Sequence, residues 1–227
     1  MCGRFGRYHA ADVFAKIIDA EVSDRLDDDA RYNRPPGTFQ AVALLNPDSG
    51  AVTLGPAWWG FIPNWAKDTQ LSPINARSET APTNKLFGKA FEHQRCLVPA
   101  DYWIEWQKQG EAKQPYAIRP KDEQPFFFAG LWSKAARLPD DHPAAGQVTF
   151  AILTGTPSAD IEHIHNRQPQ AMTADGARQW LDPDLDVDQA REVLEKERYA
   201  NYEAWPIAKK IGNPANEGPD LIEPISG

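Results

Sequence analysis

Residues 125–154 read PFFFAGLWSKAARLPDDHPAAGQVTFAILT, and two apolar runs within them, PFFFAGLW (125–132) and QVTFAILT (147–154), decide the fold class. Each run has the length of a strand and is too short for a typical helix. Similar runs precede them: QAVALLN (40–46), AVTLGPAWWGF (51–61), CLVPA (96–100) and PYAIRP (115–120). The clusters NPDSG (46–50) and KQGEAKQ (108–114) separate several of these runs, as hairpin connections do. Helical spacing is confined to the margins. In ADVFAKIIDA (11–20), Val13 and Phe14 recur with Ile17 and Ile18, and further helices are predicted over 83–93, 157–164, 174–181 and 186–198. For 157–164, Thr156 supplies a cap and Pro157 suits the first helical position. Strand after strand with helices at the margins predicts an α+β fold. The expected architecture is a single domain over residues 1–227, a largely antiparallel, barrel-like β-sheet with flanking helices. The tail from about residue 212, GNPANEGPDLIEPISG, is rich in Gly and Pro and reads as loosely packed.

Composition narrows the function classes. The chain has 227 residues, 41% apolar and 25% charged, which excludes disorder over most of its length. No run of eighteen apolar residues exists, so no membrane span is expected. The start MCGRFGRYHA lacks the apolar stretch of a secretory signal. Cys2 and Cys96 are the only cysteines, too few for a disulfide framework, and a cytoplasmic location is expected. The five His and two Cys show no C-x-x-C, H-x-x-x-H or H-E-x-x-H spacing, so neither metal nor cofactor is expected. The net charge of −8 argues against a nucleic-acid partner until its distribution is seen. Residues 21–30 carry five acids against one base, and residues 182–203 carry eight against three. The remainder is therefore nearly neutral, with Arg4 and Arg7 at its start and Arg77, Lys85, Lys89 and Arg95 close together. A locally basic cleft for a polyanion is permitted, and ordinary solvated faces fit the same pattern.

Cys2 is the most unusual residue for chemistry. Once Met1 is removed, it bears an α-amine and a thiol on adjacent carbons. An α-amine has a pKa of ~7.8 against ~10.4 for Lys, so at neutral pH its nucleophilic fraction is roughly 400-fold greater. Amines attack aldehydes to give Schiff bases, and a neighbouring thiol then closes the imine to a five-membered thiazolidine. Position alone also fits a solvent-facing residue near a frayed terminus.

Four segments in order, MCGRF (1–5), INARSET (74–80), RCLVPADYWIEW (95–106) and ILTGTPSADIEHIHNRQP (152–169), resemble the SOS response-associated peptidase family over nearly the whole chain. The resemblance implies one α+β domain that covalently captures abasic sites in single-stranded DNA through the processed N-terminal Cys. It also implies a peptidase activity, expected first in removal of the chain's own Met1. Carried over residue by residue, Cys2 matches the crosslinking nucleophile and Asn75 an amide placed beside it. Glu105 matches the active-site carboxylate, and its flanking Trp103 and Trp106 favour desolvation and a raised pKa. His165 matches the His of an H-x-R motif, with an unperturbed pKa suited to sugar ring opening and imine formation. Arg77 and Arg167 suit phosphate contacts. Trp106 and the WWGFIPNW stretch suit base stacking, although most Trp rings fill cores. Arg4, Asn33, Arg34 and Pro35 complete the expected DNA cleft. Without the family, Asn75 reads equally as a turn residue, Arg77 as an ion-pair partner of Glu79, Glu105 as an outward strand residue and His165 as a helix cap.

The chain departs from the family pattern at two positions. Tyr102 stands where Gly follows A-D, and Ile104 replaces an aromatic residue before the Glu, so a re-shaped loop around Glu105 is predicted. Two other functions compete with abasic-site capture: a cysteine peptidase acting on other proteins, and a non-covalent single-stranded DNA-binding module. The expected partner is single-stranded DNA containing abasic sites, as at replication forks. The protein is expected to act as a monomer, nucleoid-associated when bound.

Overall fold

The long apolar runs curl into a closed ring. The computed structural model describes residues 2–46 and 49–225. In chain order its strands are β1 (Phe5–Arg7), β2 (Ala20–Val22), β3 (Arg31–Arg34), β4 (Phe39–Leu45), β5 (Val52–Trp59), β6 (Asn75–Arg77) and β7 (Arg95–Ala100). They continue as β8 (Tyr102–Gln109), β9 (Ala112–Pro120), β10 (Phe126–Lys134), β11 (Val148–Gly155), β12 (Gln168–Pro169), β13 (Ala171–Met172) and β14 (Tyr202–Pro206). The helices are α1 (Ala11–Ile18), α2 (Gly88–His93), α3 (Ala174–Trp180) and α4 (Val187–Lys196).

Strands pair antiparallel in the order β5-β4-β7-β10-β11, and a short parallel pairing of β11 with β5, Phe150 opposite Trp59, closes the barrel. Alternate residues explain why these strands read as unbroken apolar runs. On β10, Phe127, Ala129 and Leu131 face a layer that includes Phe14, Phe91, Trp180 and Leu194 from the four helices. Phe126 and Phe128 face the other way, with Val42, Trp59, Val98 and Ile152, into the barrel interior. A strand buried on both faces has no polar alternation to show.

A second sheet, ordered β14-β9-β8-β1-β3, caps one end of the barrel. Phe5, Trp103, Ile118 and Tyr202 turn toward the barrel cluster, while Tyr102, Ile104 and Ala117 turn away from it. That outer face is covered by the C-terminal segment through Ile207, Ile211 and Leu221, all buried. The expectation of a loose tail is therefore corrected. Trp205 Nε1 donates to the Ile222 carbonyl at 2.7 Å, the Ile225 N–H donates to Pro206, and the Glu217 carboxylate accepts from the Tyr32 N–H at 2.8 Å. Gly and Pro shape the path of this segment, but its apolar anchors dock it.

Two predicted helices also change. Residues 83–93 divide into a 3-10 turn, Ala81–Thr83, and the short α2. Residues 157–164 form successive turns instead of a helix, and the Ser158 N–H that would begin it donates to the side chain of Gln168 at 2.7 Å. By contrast, α4 begins with a full capping box, Asp186 and Gln189 exchanging hydrogen bonds.

The family-divergent Tyr102 is accommodated across the strand. Its ring lies over Gly6, where an added Cβ would meet the ring at 2.2 Å, and its hydroxyl donates to the Tyr32 carbonyl. Gly6→Ala is expected to destabilise the fold by about 1–3 kcal/mol through overpacking. Adding Tyr102→Ala should recover part of that loss, which a double-mutant cycle by urea unfolding reads. Simple additivity would show that the two residues do not share this space.

Candidate active site

The strand that follows Cys2, β1, is fixed at both ends. Phe5 lies opposite Trp103 and Gly6 opposite Tyr102, and the Ile104 N–H donates to the Arg4 carbonyl at 2.9 Å. At the far end, buried Asp101 accepts from the N–H groups of Tyr8 (2.6 Å) and His9 (3.0 Å), and its second oxygen lies 2.5 Å from His9 Nδ1. The chain ahead of β1 is thereby led along β8 toward Glu105. Cys2 ends fully buried in the barrel-interior cluster, which removes the reading of a solvent-facing residue.

Asn75 meets Cys2 from the other side. Its strand β6 lies parallel on β11, Asn75 opposite Ile152, and Asn75 Nδ2 donates to the Cys2 carbonyl at 2.8 Å. Asn75 Oδ1 is buried with no hydrogen-bond partner among the described residues. An amide with one end spent on the Cys2 backbone and an unused acceptor beside it is placed to orient both Cys2 and an incoming group.

Glu105 shares the barrel-facing side of β8 with Trp103 and is 2% exposed. Tyr102, Ile104 and Trp106 lie on the opposite side of the strand, in the outer cluster. Burial pushes the Glu105 carboxyl up to about 7 from 4.5. Burial, and then the charge of Glu105, push the Cys2 thiol far above its ordinary 9.0. The thiol is therefore protonated at neutrality. Any addition by its sulfur needs a local proton acceptor, and a carboxyl group poised between its two states near pH 7 is suited to that role.

The raised carboxyl also has a stability consequence. Between its unfolded value of 4.5 and its folded value of about 7, the folded chain binds more protons than the unfolded one. Stability from this group is accordingly lost as pH rises through that window and stays lost above it. Glu105→Gln should therefore stabilise the fold at pH 8, by an amount bounded near ~3 kcal/mol, and leave it unchanged at pH 4. Thermal unfolding at the two pH values checks this. A destabilised variant at pH 8 contradicts the assignment.

His165 sits on the loop between β11 and β12. Gln107 Nε2 donates to the His163 carbonyl at 3.1 Å, which ties this loop to β8. Arg167 ties it to β6 and β11 through a bidentate pair with Glu79 (2.6 and 2.8 Å) and a hydrogen bond to the Thr154 carbonyl. His165 Nδ1 lies 3.0 Å from the Arg167 N–H and 3.1 Å from its carbonyl oxygen, so proton exchange with a substrate falls to Nε2. Burial holds the imidazole below its usual 6.5, neutral at pH 7. Among the described residues no group of three or more His, Cys, Asp or Glu is placed to hold a metal ion. No helix among them is long and apolar enough to cross a membrane.

The SOS response associated peptidase (SRAP) family model matches residues 1–214. The chain belongs to the SRAP family. The abasic site processing protein YedK of Escherichia coli K12 is 33% identical to this SRAP chain, covering 99% of it and all of YedK. The abasic site processing protein HMCES of Gallus gallus is 28% identical over 86% of this chain and 66% of its own length. Among solved structures, a Bacteroides thetaiotaomicron protein superposes with a TM-score of 0.81 at 22% identity, covering 99% of this chain and all of its own. A phage-related protein from Bordetella bronchiseptica gives 0.71 at 30% identity, covering 92% of this chain and 95% of its own. The α+β fold with a barrel-like sheet is thus shared along the full SRAP domain.

Within this SRAP chain the residues expected to touch DNA separate into two groups. Arg77 is exposed and makes no salt bridge among the described residues, because Glu79 pairs with Arg167. Pro35 is half-buried at the loop preceding β4, its carbonyl accepting from Thr38 Oγ1 at 2.7 Å. The others also make contacts within the fold. Asn33 is fully buried, its amide donating to the carbonyls of Asn213 (2.9 Å) and Asn216 (3.0 Å). Arg4 donates to Asn33 Oδ1 at 2.6 Å and to the Ile211 carbonyl at 3.1 Å. Arg167 spends its fork on Glu79, and half-buried Trp106 packs against the outer cluster with Tyr102. Of the WWGFIPNW rings, Trp59 is buried and Trp65 is 55% exposed. The alternative of a local Arg77–Glu79 ion pair is not formed, since Glu79 pairs with Arg167 across 88 residues.

Proposed function

We propose that this SRAP protein processes abasic sites in single-stranded DNA by joining them covalently to Cys2 after Met1 is removed. The relatives' names give abasic sites as the class of lesion, and the observation that supports this chemistry is Cys2 held by Asn75 beside a carboxyl group with a pKa near 7. The open-chain sugar presents an aldehyde carbon. The Cys2 α-amine adds to it, and the carbinolamine loses water, leaving an imine. The thiol then adds across C=N, sulfur bonding to carbon and the proton ending on nitrogen, for a net loss of one water. Glu105 takes and returns the thiol proton, and His165 Nε2 serves ring opening and water loss. Closure matters because an open imine permits β-elimination and strand scission.

The test is incubation of the processed chain with abasic single-stranded DNA, followed by denaturing electrophoresis. A retarded band that survives denaturation supports covalent capture. Reversible, salt-sensitive binding alone would leave only a binding module, and cleavage of peptides independent of DNA would favour the peptidase. In the same assay, Asn75→Ala is expected to slow capture about 10-fold or more, because the Cys2 backbone loses its orienting donor. An unchanged rate contradicts the role given to Asn75.

A further inference from the structure

A cavity of about 280 Å³ outside this chemistry is lined by Arg25, Leu26, Asp27, Arg34, Phe39 and Gln40 among others. Arg34 is its unusual wall. The side chain is charged yet only 8% exposed, and its two terminal nitrogens donate to neutral groups, Gln40 Oε1 at 2.8 Å and the Asp29 carbonyl at 3.1 Å. Its Nε is buried and has no hydrogen-bond partner among the described residues. Burial, reinforced by the neighbouring cations Arg7 and Arg31, lowers its pKa to about 10. A guanidinium whose hydrogen-bond partners are neutral, and whose charge the carboxylates of Asp27 and Glu217 offset only through space, keeps the capacity to hold an anion entering the cavity.

Two further walls define which anion. Arg25 is exposed, with one guanidinium nitrogen 3.1 Å from Gln147 Oε1, and supplies a second cation. Phe39 is 40% exposed and braced by the edge of Trp58, centroids 5.3 Å apart at 77°, so a flat ring is held at the rim. The opposing charge is Asp27, whose carboxylate accepts from the Asp29 N–H at 3.1 Å and lies 3.6 Å from Arg31.

We propose that this cavity is a nucleotide subsite, with Arg34 and Arg25 holding a phosphate and the base stacking on Phe39. Base–aromatic stacking beside a cationic groove is a general mode of nucleotide capture. Arg34 is the register partner of Phe5, three residues after Cys2, so the cavity borders the strand that follows the nucleophile. The nucleotide is either one unit of a bound strand, which extends the function proposed above, or a free mononucleotide, which is independent of it.

Arginine Nε–H signals in ¹⁵N-correlated NMR of the full chain test this, with the Arg34 signal assigned by its loss in Arg34→Lys. The probes are inorganic phosphate, deoxyadenosine monophosphate and an undamaged single-stranded oligonucleotide. A shift caused by the mononucleotide, weakened about 5- to 10-fold in both Phe39→Ala and Arg25→Gln and tightened in Asp27→Asn, supports the subsite with a free nucleotide. A shift from the oligonucleotide alone, with the same variant effects, supports it as a strand contact. Inorganic phosphate acting as strongly as the mononucleotide, with Phe39→Ala silent, overturns the nucleotide assignment. No shift with any probe at millimolar concentration overturns the site altogether. Phe39 and Arg25 are exposed, so their variants carry the test even if Arg34→Lys does not fold. Undamaged DNA requires no Cys2 chemistry, so loss of abasic adducts with this binding intact would sink only the covalent function.

Discussion

Cys2→Ala is expected to abolish the denaturation-stable adduct on abasic single-stranded DNA, a loss of at least ~10³-fold as when a nucleophile is removed from an acting set. The variant keeps an α-amine once Met1 is gone, so it still reaches the imine. It lacks the sulfur that closes the ring. Strand scission by β-elimination should therefore rise as the stable adduct disappears, and sequencing-gel analysis of the DNA reads both products at once. The geometry supports this division of labour. Cys2 is fully buried, its carbonyl is held by Asn75 at 2.8 Å, and its thiol faces an environment in which only a neighbouring proton acceptor makes it reactive. Stable adduct formation by Cys2→Ala at the wild-type rate would remove the thiol from the mechanism.

The second large effect is expected at Glu105. Glu105→Gln keeps the shape of the side chain and removes its titration, and capture should slow by ~10²–10⁴-fold. The pH profile separates this from simple disruption. Below neutrality the wild-type rate depends on two ionisations, the α-amine at ~7.8 and the carboxyl group at about 7. The logarithm of the rate should rise with a slope approaching about two, and in Glu105→Gln with a slope near one. The same variant is expected to unfold at higher temperature at pH 8, so a slow and more stable enzyme would point to the carboxylate itself. A variant with an unchanged profile would move the proton transfer elsewhere, with His165 the alternative group.

How much of this could be read from the chain differs by element. The strands over 40–46, 51–61, 96–100, 125–132 and 147–154 were legible because burial on both faces leaves uninterrupted apolar runs. The parallel pairing of β11 with β5, which closes the barrel, leaves no mark in either run, since pairing partners are not encoded in periodicity. The helix expected over 157–164 gives way to turns as tertiary packing overrides a local cap, with Ile161 and Ile164 turned into the barrel cluster. The tail read as loose because Gly and Pro dominate its composition, yet Ile211 and Leu221 are enough to dock it.

The site divides in a similar way. Cys2, Asn75 and Glu105 were named from short segments, and the structure brings these three together around the Cys2 backbone and thiol. Residues expected at the DNA also have roles within the fold. Asn33, Arg4 and Arg167 carry groups that bind phosphate well, and the same groups serve equally well to stitch buried backbone or to pair with Glu79. Donor chemistry indicates what a side chain is able to hold, and only the fold decides what it does hold.

Intact-mass spectrometry of the Met1-processed chain, after exposure to an oligonucleotide bearing one uracil-derived abasic site, tests the central claim most directly. The expected spectrum shows a single species heavier than the protein by the mass of the oligonucleotide less one water, absent for Cys2→Ala. A spectrum containing only the unmodified chain, with the N-terminal amine exposed and the abasic strand intact, would contradict that claim.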